Sequence, residues 1–518
     1  MSDLRPGEGD ERGGDLSKEA AADVRTVAKG GAVQVVGQIS QRSLSFFFGI
    51  AFTRILDEVS FGLYRIVSQS LANLAQLGLL GLNYATMRFI ARARARGEPG
   101  KVKGALRVGI GGVLGISLLV MVVVLIAPGP IASIFDDDPA RRDELVDLFR
   151  WGAPYIPLFA LLQVLRYGSQ AYKTMVPSVV AGNIVQPVTR FVFGVTALAL
   201  GFEITGAVIS LNLSLIAALL LIAYYLRRLL TDEERKATPV RETGPMFRFA
   251  IPQSGASLLG IQTLGLGILL LGALDTNRQA GLFAIALALQ GPGNVFLGGI
   301  VNIWAPVVAD LYERGAIDRL GALYQTINRW IATFSFPVFA ALIIMPELFV
   351  WFYGPSAEGA ESVVVFLAIG NIFYTGTGPT GYVISMTGRP GVNFINSAVS
   401  AALYIGLGIW IIPEHGAVGM AAIDAVVTAL VNSARVIEAK ILVGVQPFGR
   451  TFWKPVAATL IGAAVLLLWR FIDVSGLWFG WVGVTVAGAV YLGALRFFGL
   501  DEEELEVIRR IRARALRR

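Results

Sequence analysis

The chain contains no cysteine. That rules out disulfides, thiolate nucleophiles and thiolate metal ligands, and it leaves the redox compartment unread. Histidine occurs once, as His415, in an expected loop between Pro413 and Gly416. Histidine-based metal sites and Ser-His-Asp catalysis are therefore not expected. Charge is scarce too: Asp, Glu, Lys and Arg make up 16% of the 518 residues, against about 25% in ordinary soluble domains. The phosphate-cradling pattern G-x-x-x-x-G-K-[ST] is missing, and with it any ATPase of the chain's own. Residues 1–28 are polar and of mixed charge. A secretory signal needs a basic start and a short apolar core, so none is expected there. Neither a metal nor a cofactor is expected, and the net charge of +7 is read as membrane topology and not as nucleic-acid binding.

What is present is apolar. Hydrophobic residues make up 55% of the chain, and the mean hydropathy is +0.64. Runs long enough to cross about 30 Å of hydrocarbon recur from Gly30 to the region of Phe498. The expected fold is an all-α polytopic membrane protein with about fourteen spanning helices. They are placed near 30–54, 62–87, 104–127, 149–172, 177–200, 204–229, 247–273, 279–307, 322–349, 361–386, 391–412, 416–441, 453–471 and 476–498. Closely spaced spans are divided at turn signals such as Leu56-Asp57, Gly201-Phe202, Gly388-Arg389-Pro390 and Pro413-Glu414.

The loops then alternate in charge. One set carries Arg88 to Lys103, Arg227 to Lys236, Arg435 to Lys454 and the tail Arg509 to Arg518; the other carries Asp57-Glu58, Asp136-Asp137-Asp138, Asp275, Glu358, Glu414 and Asp473. The positive-inside rule puts the basic set and both termini in the cytoplasm of a plasma membrane. The tail 501–518 has acids first, arginines last and an apolar edge of Leu505, Ile508 and Ile511. It reads either as a surface helix touching anionic lipid or as one more topogenic patch.

An internal repeat runs through the spans. Gly62 and Gly281 lie 219 apart in similar surroundings, Arg96-Gly97 and Arg314-Gly315 lie 218 apart, Asn183 and Asn396 213, and Gly206-Ala207-Val208 and Gly416-Ala417-Val418 210. The expected organisation is a polar tail (1–28), a six-helix lobe (29–230), a cytoplasmic linker (231–246), a second six-helix lobe (247–445), two further helices (446–500) and a basic amphipathic tail (501–518). An even number of crossings per copy gives both lobes one orientation, so their pseudo-two-fold runs along the membrane normal.

Arginine at a helix centre costs about 2.5–3.5 kcal/mol on insertion scales. Arg42 and Arg190 each lie about twelve residues from either end of a predicted helix, with no snorkelling route. They either line a wet cavity and meet an anion, phosphate above all, or hydrogen-bond across helices. Gln34, Gln38 and Gln41 share one face with Arg42, and Asn183 and Gln186 share one with Arg190. Gln262, Gln290 and Asn294 mark the second half. Such amides either bind sugar hydroxyls or act as packing glue worth about 0.6 kcal/mol each. Arg166, nearer the cytoplasmic end, either guides an anion inward or snorkels. Asp424, the clearest intramembrane acid, either binds a coupling Na⁺ or H⁺ or pairs within the bundle.

Three segments carry a family resemblance: Thr53-Arg54-Ile55-Leu56 through Phe61-Gly62-Leu63-Tyr64, Gly81-Leu82-Asn83-Tyr84-Ala85-Thr86-Met87-Arg88, and Gly416-Ala417-Val418-Gly419-Met420-Ala421-Ala422. They resemble the polysaccharide flippases of the multidrug, oligosaccharidyl-lipid and polysaccharide exporter superfamily. The resemblance implies a two-lobed, V-shaped bundle that exports a saccharide carried on undecaprenyl diphosphate. Membrane lipids and polysaccharide assembly enzymes would be its other partners. It also implies a cavity role for Arg42, since relatives similar to the lipid II flippase carry arginines on helix 1, and a groove for the lipid tail formed by the last two helices. The alternatives are a multidrug or organic-cation antiporter of the same superfamily, which would want acids in its cavity, and a membrane-embedded polymerase or ligase, which would want a large external loop.

Overall fold

The computed structural model describes residues 33–34, 36–136, 138–172, 174–258, 265–472 and 476–499. Both tails and Gln262 lie outside these residues. Helix is the only regular secondary structure among the described residues. The helices of seven or more residues are α1 (36–55), α2 (Glu58–Leu79), α3 (Leu82–Ala95), α4 (Pro99–Ile126), α5 (Pro139–Gln170), α6 (Val176–Ala199), α7 (Glu203–Leu229), α8 (Thr243–Leu258), α9 (Leu266–Leu274), α10 (Asn277–Leu289), α11 (Gly291–Glu313), α12 (Ile317–Ile344), α13 (Glu361–Thr377), α14 (Thr380–Met386), α15 (Pro390–Leu442), α16 (Trp453–Arg470) and α17 (Leu477–Phe498). Helix fills part of each of the fourteen predicted ranges. Among the described residues, eight helices are long and apolar enough to cross a membrane alone, and two bent pairs, α10 with α11 and α13 with α14, raise the number to ten.

The departures from the predicted ranges have local causes. The predicted span 62–87 is two helices, because Leu80 and Gly81 both take left-handed φ values and end α2. The span 361–386 bends by 42° where Gly378 (φ 66°) and Pro379 interrupt it. The predicted start at 149 is too late, since Asp138 caps a helix from Pro139 by accepting from the Ala140 amide. The turn expected at Pro413-Glu414 falls later, at Gly416 (φ 53°), where α15 folds back on itself, so that Tyr404 meets Asp424, Asn396 meets Glu438 and Arg389 meets Leu442.

The acidic loops gather at one rim of the bundle and close it. Arg278 pairs with Glu58 at 2.9 Å, Asn277 donates to Asp136 at 2.5 Å, and Arg54 donates to the Trp351 and Phe352 carbonyls at 2.9 Å each. At the centre of this closure α2 crosses α10 through two glycines. A side chain on Gly62 would collide with the Asn277 carbonyl, and one on Gly281 with the Glu58 carbonyl. Residues 58 and 62 are the repeat mates of 277 and 281, so the contact is reciprocal, as a local two-fold requires. At the opposite rim the segment after α7 lies along α4: Val240 donates to Gly100 O at 2.9 Å and Lys103 to Arg235 O at 2.5 Å. Glu234 is buried there between Arg94 (3.1 Å) and the Tyr172 hydroxyl (2.9 Å).

Candidate functional site

Helix α2 starts at Glu58 because Asp57 caps it, accepting from the Ser60 amide at 2.7 Å. Two turns later it presents Tyr64 and Arg65. The Tyr64 ring is buried against Phe48 and Phe52 of α1 at 5.9 and 5.0 Å between centroids. Arg190 of α6 reaches this wall. Its guanidinium donates to the Tyr64 hydroxyl and lies 5.1 Å from the Phe48 ring and 5.6 Å from the Tyr64 ring. Arg65 is close enough for the two cations to repel one another. Among the described residues, no carboxylate lies within ion-pair distance of either, and the Nε atoms of both are enclosed without an acceptor. The Tyr353 hydroxyl, beside Arg65, is enclosed and unpaired as well. Tyr353 comes from the loop after α12 and packs on Phe46 and Gly49 of α1, so it roofs the pair on the acidic side.

Arg42 lies deeper. Its Nη2 and the Gln38 Oε1 stand 2.8 and 3.1 Å from where a side chain on Gly298 would begin. Only a glycine in α11 leaves room for them. Arg42 too has no carboxylate within ion-pair distance among the described residues. Two cationic groups from α2 and α6 and one from α1 are thus held without counter-ions in apolar surroundings. A buried charge of this kind is costly unless something outside the chain pairs with it.

The other candidate residues are placed differently. Arg166 of α5 turns toward α6. Its Nε donates to Ser178 O at 3.1 Å and its Nη2 to Asn183 Oδ1 at 2.7 Å, and Asn183 in turn donates to Gln41 at 2.6 Å. This ladder ties α5, α6 and α1 together at a π-helical turn, Val180–Val185, where Gly182 makes room for the guanidinium. Asn183 and Gln41 are committed to each other in this structure. Gln186 follows the π turn, half-buried and with no side-chain partner among the described residues. In the second half Asn294 donates to Asn371 at 2.7 Å, and Gln290 donates to the Ala286 and Val364 carbonyls. Asp424 is half-buried inside the α15 hairpin, accepting from the Tyr404 hydroxyl.

Sequence reasoning missed Arg65. The predicted span began at 62, which put Arg65 in a first turn where arginine snorkels. Its signal was a basic residue close to an otherwise acidic rim.

A family model described as "Polysaccharide biosynthesis protein" matches residues 27–312. The chain is 22% identical over 433 residues to stage V sporulation protein B of Bacillus subtilis (strain 168), covering 79% of this chain and 82% of that protein. Its fold is similar to that of the lipid II flippase MurJ in an inward closed conformation, with a TM-score of 0.71, 14% identity and coverage of 89% of this chain and 98% of that one. It is also similar to an inward-facing multidrug resistance MATE family transporter of the MOP superfamily, with a TM-score of 0.62, 17% identity and coverage of 79% and 98%.

Proposed function

The chain belongs to the polysaccharide biosynthesis protein family, and from that premise we propose that it flips a lipid-linked oligosaccharide, a saccharide on undecaprenyl diphosphate, across the plasma membrane by alternating access. The observation that carries this reading is the set Arg42, Arg65 and Arg190, three guanidinium groups without carboxylate partners among the described residues. A diphosphate supplies the missing charge, and the guanidinium fork donates to it in pairs. Gln38 and Gln186 meet the headgroup beside them, while Arg166, Asn183 and Gln41 brace the wall. The six-helix lobes 29–230 and 247–445 rock about the linker 231–246. Both termini lie in the cytoplasm, as does the basic rim, so the closed acidic rim faces outward. Helices 446–500 take the prenyl chain.

A multidrug antiporter shares the fold, but it would present carboxylates to its cation where this chain presents guanidinium groups. Asp424 with Tyr404 is the site we assign to ion coupling. Headgroup translocation in proteoliposomes, with undecaprenyl diphosphate carrying a fluorescent saccharide, tests the reading. Arg42→Ala and Arg190→Ala should each slow translocation at least tenfold, since a hydrogen bond to a charged group contributes about 1.5–3 kcal/mol. Unchanged rates in both variants would refute the assignment.

A further inference from the structure

Arg435 stood in the sequence among the topogenic charges of the basic rim. In the structure it is half-buried, seven residues ahead of the α15 terminus at Leu442. Its Nε is enclosed without an acceptor, and its Nη1 touches only Asn432 Oδ1, at 3.4 Å. Glu438 is close enough to be felt, but the Asn396 amide holds that carboxylate at 2.6 Å. Among the described residues, Arg435 has no ion pair. Tyr374 of α13 lies within electrostatic reach of both Arg435 and Arg42. Two guanidinium groups, one from each half of the chain, thus act on the same phenol.

Depth spreads the four guanidinium groups along the bundle. At about 1.5 Å of rise per residue, Arg65 lies about 10 Å and Arg190 about 14 Å from the acidic rim, Arg42 about 20 Å and Arg435 about 28 Å. One diphosphate cannot reach from Arg65 to Arg435. A path that both admits and releases an ion uses several sites of moderate strength in place of one deep trap.

We infer that Arg435 is a further anion-binding residue, and that the diphosphate passes between two cationic stations, Arg42 with Arg435 and then Arg65 with Arg190. This rests on the substrate class proposed above. The first station draws on both halves of the chain, and the second lies within the N-terminal half under the Tyr353 roof.

The test uses the full-length chain, whose lack of cysteine makes introduced thiols unique. Glu58→Cys with Arg278→Cys, joined by a short bis-methanethiosulfonate cross-linker, holds the acidic rim closed. Binding of farnesyl diphosphate to this protein in detergent is measured by calorimetry. Arg435→Gln is expected to weaken the probe about tenfold or more, with Arg435→Lys in between, while Arg150→Ala, at an exposed arginine outside the binding machinery, changes it less than threefold. Thermal unfolding confirms that each variant is folded, and Arg435→Lys serves if Arg435→Gln is not. Probe affinity unchanged in both Arg435 variants, while Arg42→Ala still loses it, overturns the two-station path and leaves the flippase reading intact. A cross-linked parent that does not bind the probe at all defeats both.

Discussion

At the residue scale, stability and transport should part company at Arg65. Its cation is set beside Arg190 with no counter-ion among the described residues, so the folded chain carries repulsion that only a bound anion relieves. Replacing such a charge with an apolar group of similar size is commonly neutral or stabilising. Arg65→Leu is therefore expected to stabilise the detergent-solubilised protein by about 1 kcal/mol while abolishing headgroup translocation. A lowered thermal midpoint would mean that Arg65 has a partner within the fold. The sequence showed part of this site. Arg42 and Arg190 were legible because nothing in a helix centre lets arginine reach water. Arg65 and Arg435 were not, because a charge within two turns of a helix end has a cheap explanation, and only packing reveals that it does not take it. Asn183 and Gln41 were legible as members of polar stripes on two separate helices, but that they would bond to each other was not. Such pairing depends on the π turn, and no periodicity announces a π turn.

At the element scale, the segment between the two halves of the chain is pinned to the first half. Thr231 and Glu234 form a capping box, and the same Glu234 carboxylate takes Arg94 and the Tyr172 hydroxyl. The Arg94 guanidinium also lies 4.0 Å from the Tyr172 ring. Burial and the neighbouring carboxylate push the Tyr172 phenol well above its usual range, so it remains a donor at any working pH. Breaking a buried pair from one side strands the remaining partner. Glu234→Ala should cost about 3 kcal/mol and loosen the short helix bearing Arg235 and Lys236. Limited trypsin digestion should then cut there at least ten times faster than in the parent, whereas Glu234→Gln, which keeps the Thr231 and Tyr172 contacts, should be cut at an intermediate rate. Equal rates for all three proteins would show that the linker is held by its backbone contacts with α4 alone. The linker's position was readable from its charges, but its docking was not, because the partners of Glu234 lie 140 and 62 residues away in the chain.

At the scale of the whole molecule, the reciprocal glycine crossing governs how the acidic rim closes. Gly62 and Gly281 came from the sequence as repeat mates, and the structure brings each against the backbone of the other's helix. A methyl group at either position meets a carbonyl oxygen that has no rotamer to yield, so α2 and α10 must separate. Overpacking of this kind costs about 1–3 kcal/mol. Here the cost falls on the closed rim only, because the contact vanishes once the rim opens. Gly62→Ala and Gly281→Ala should each slow cross-linking of Glu58→Cys to Arg278→Cys about tenfold, the ratio that corresponds to about 1.4 kcal/mol. The local two-fold makes the two effects equal in kind. The double variant should fall well short of a hundredfold, because one methyl already opens the crossing that the second would strike. Full additivity would mean that the two contacts are independent and that the crossing does not act as one unit. Unchanged cross-linking in both single variants would mean that the rim is held shut by other contacts, such as Arg54 with the Trp351 and Phe352 carbonyls, with the helix crossing free to adjust.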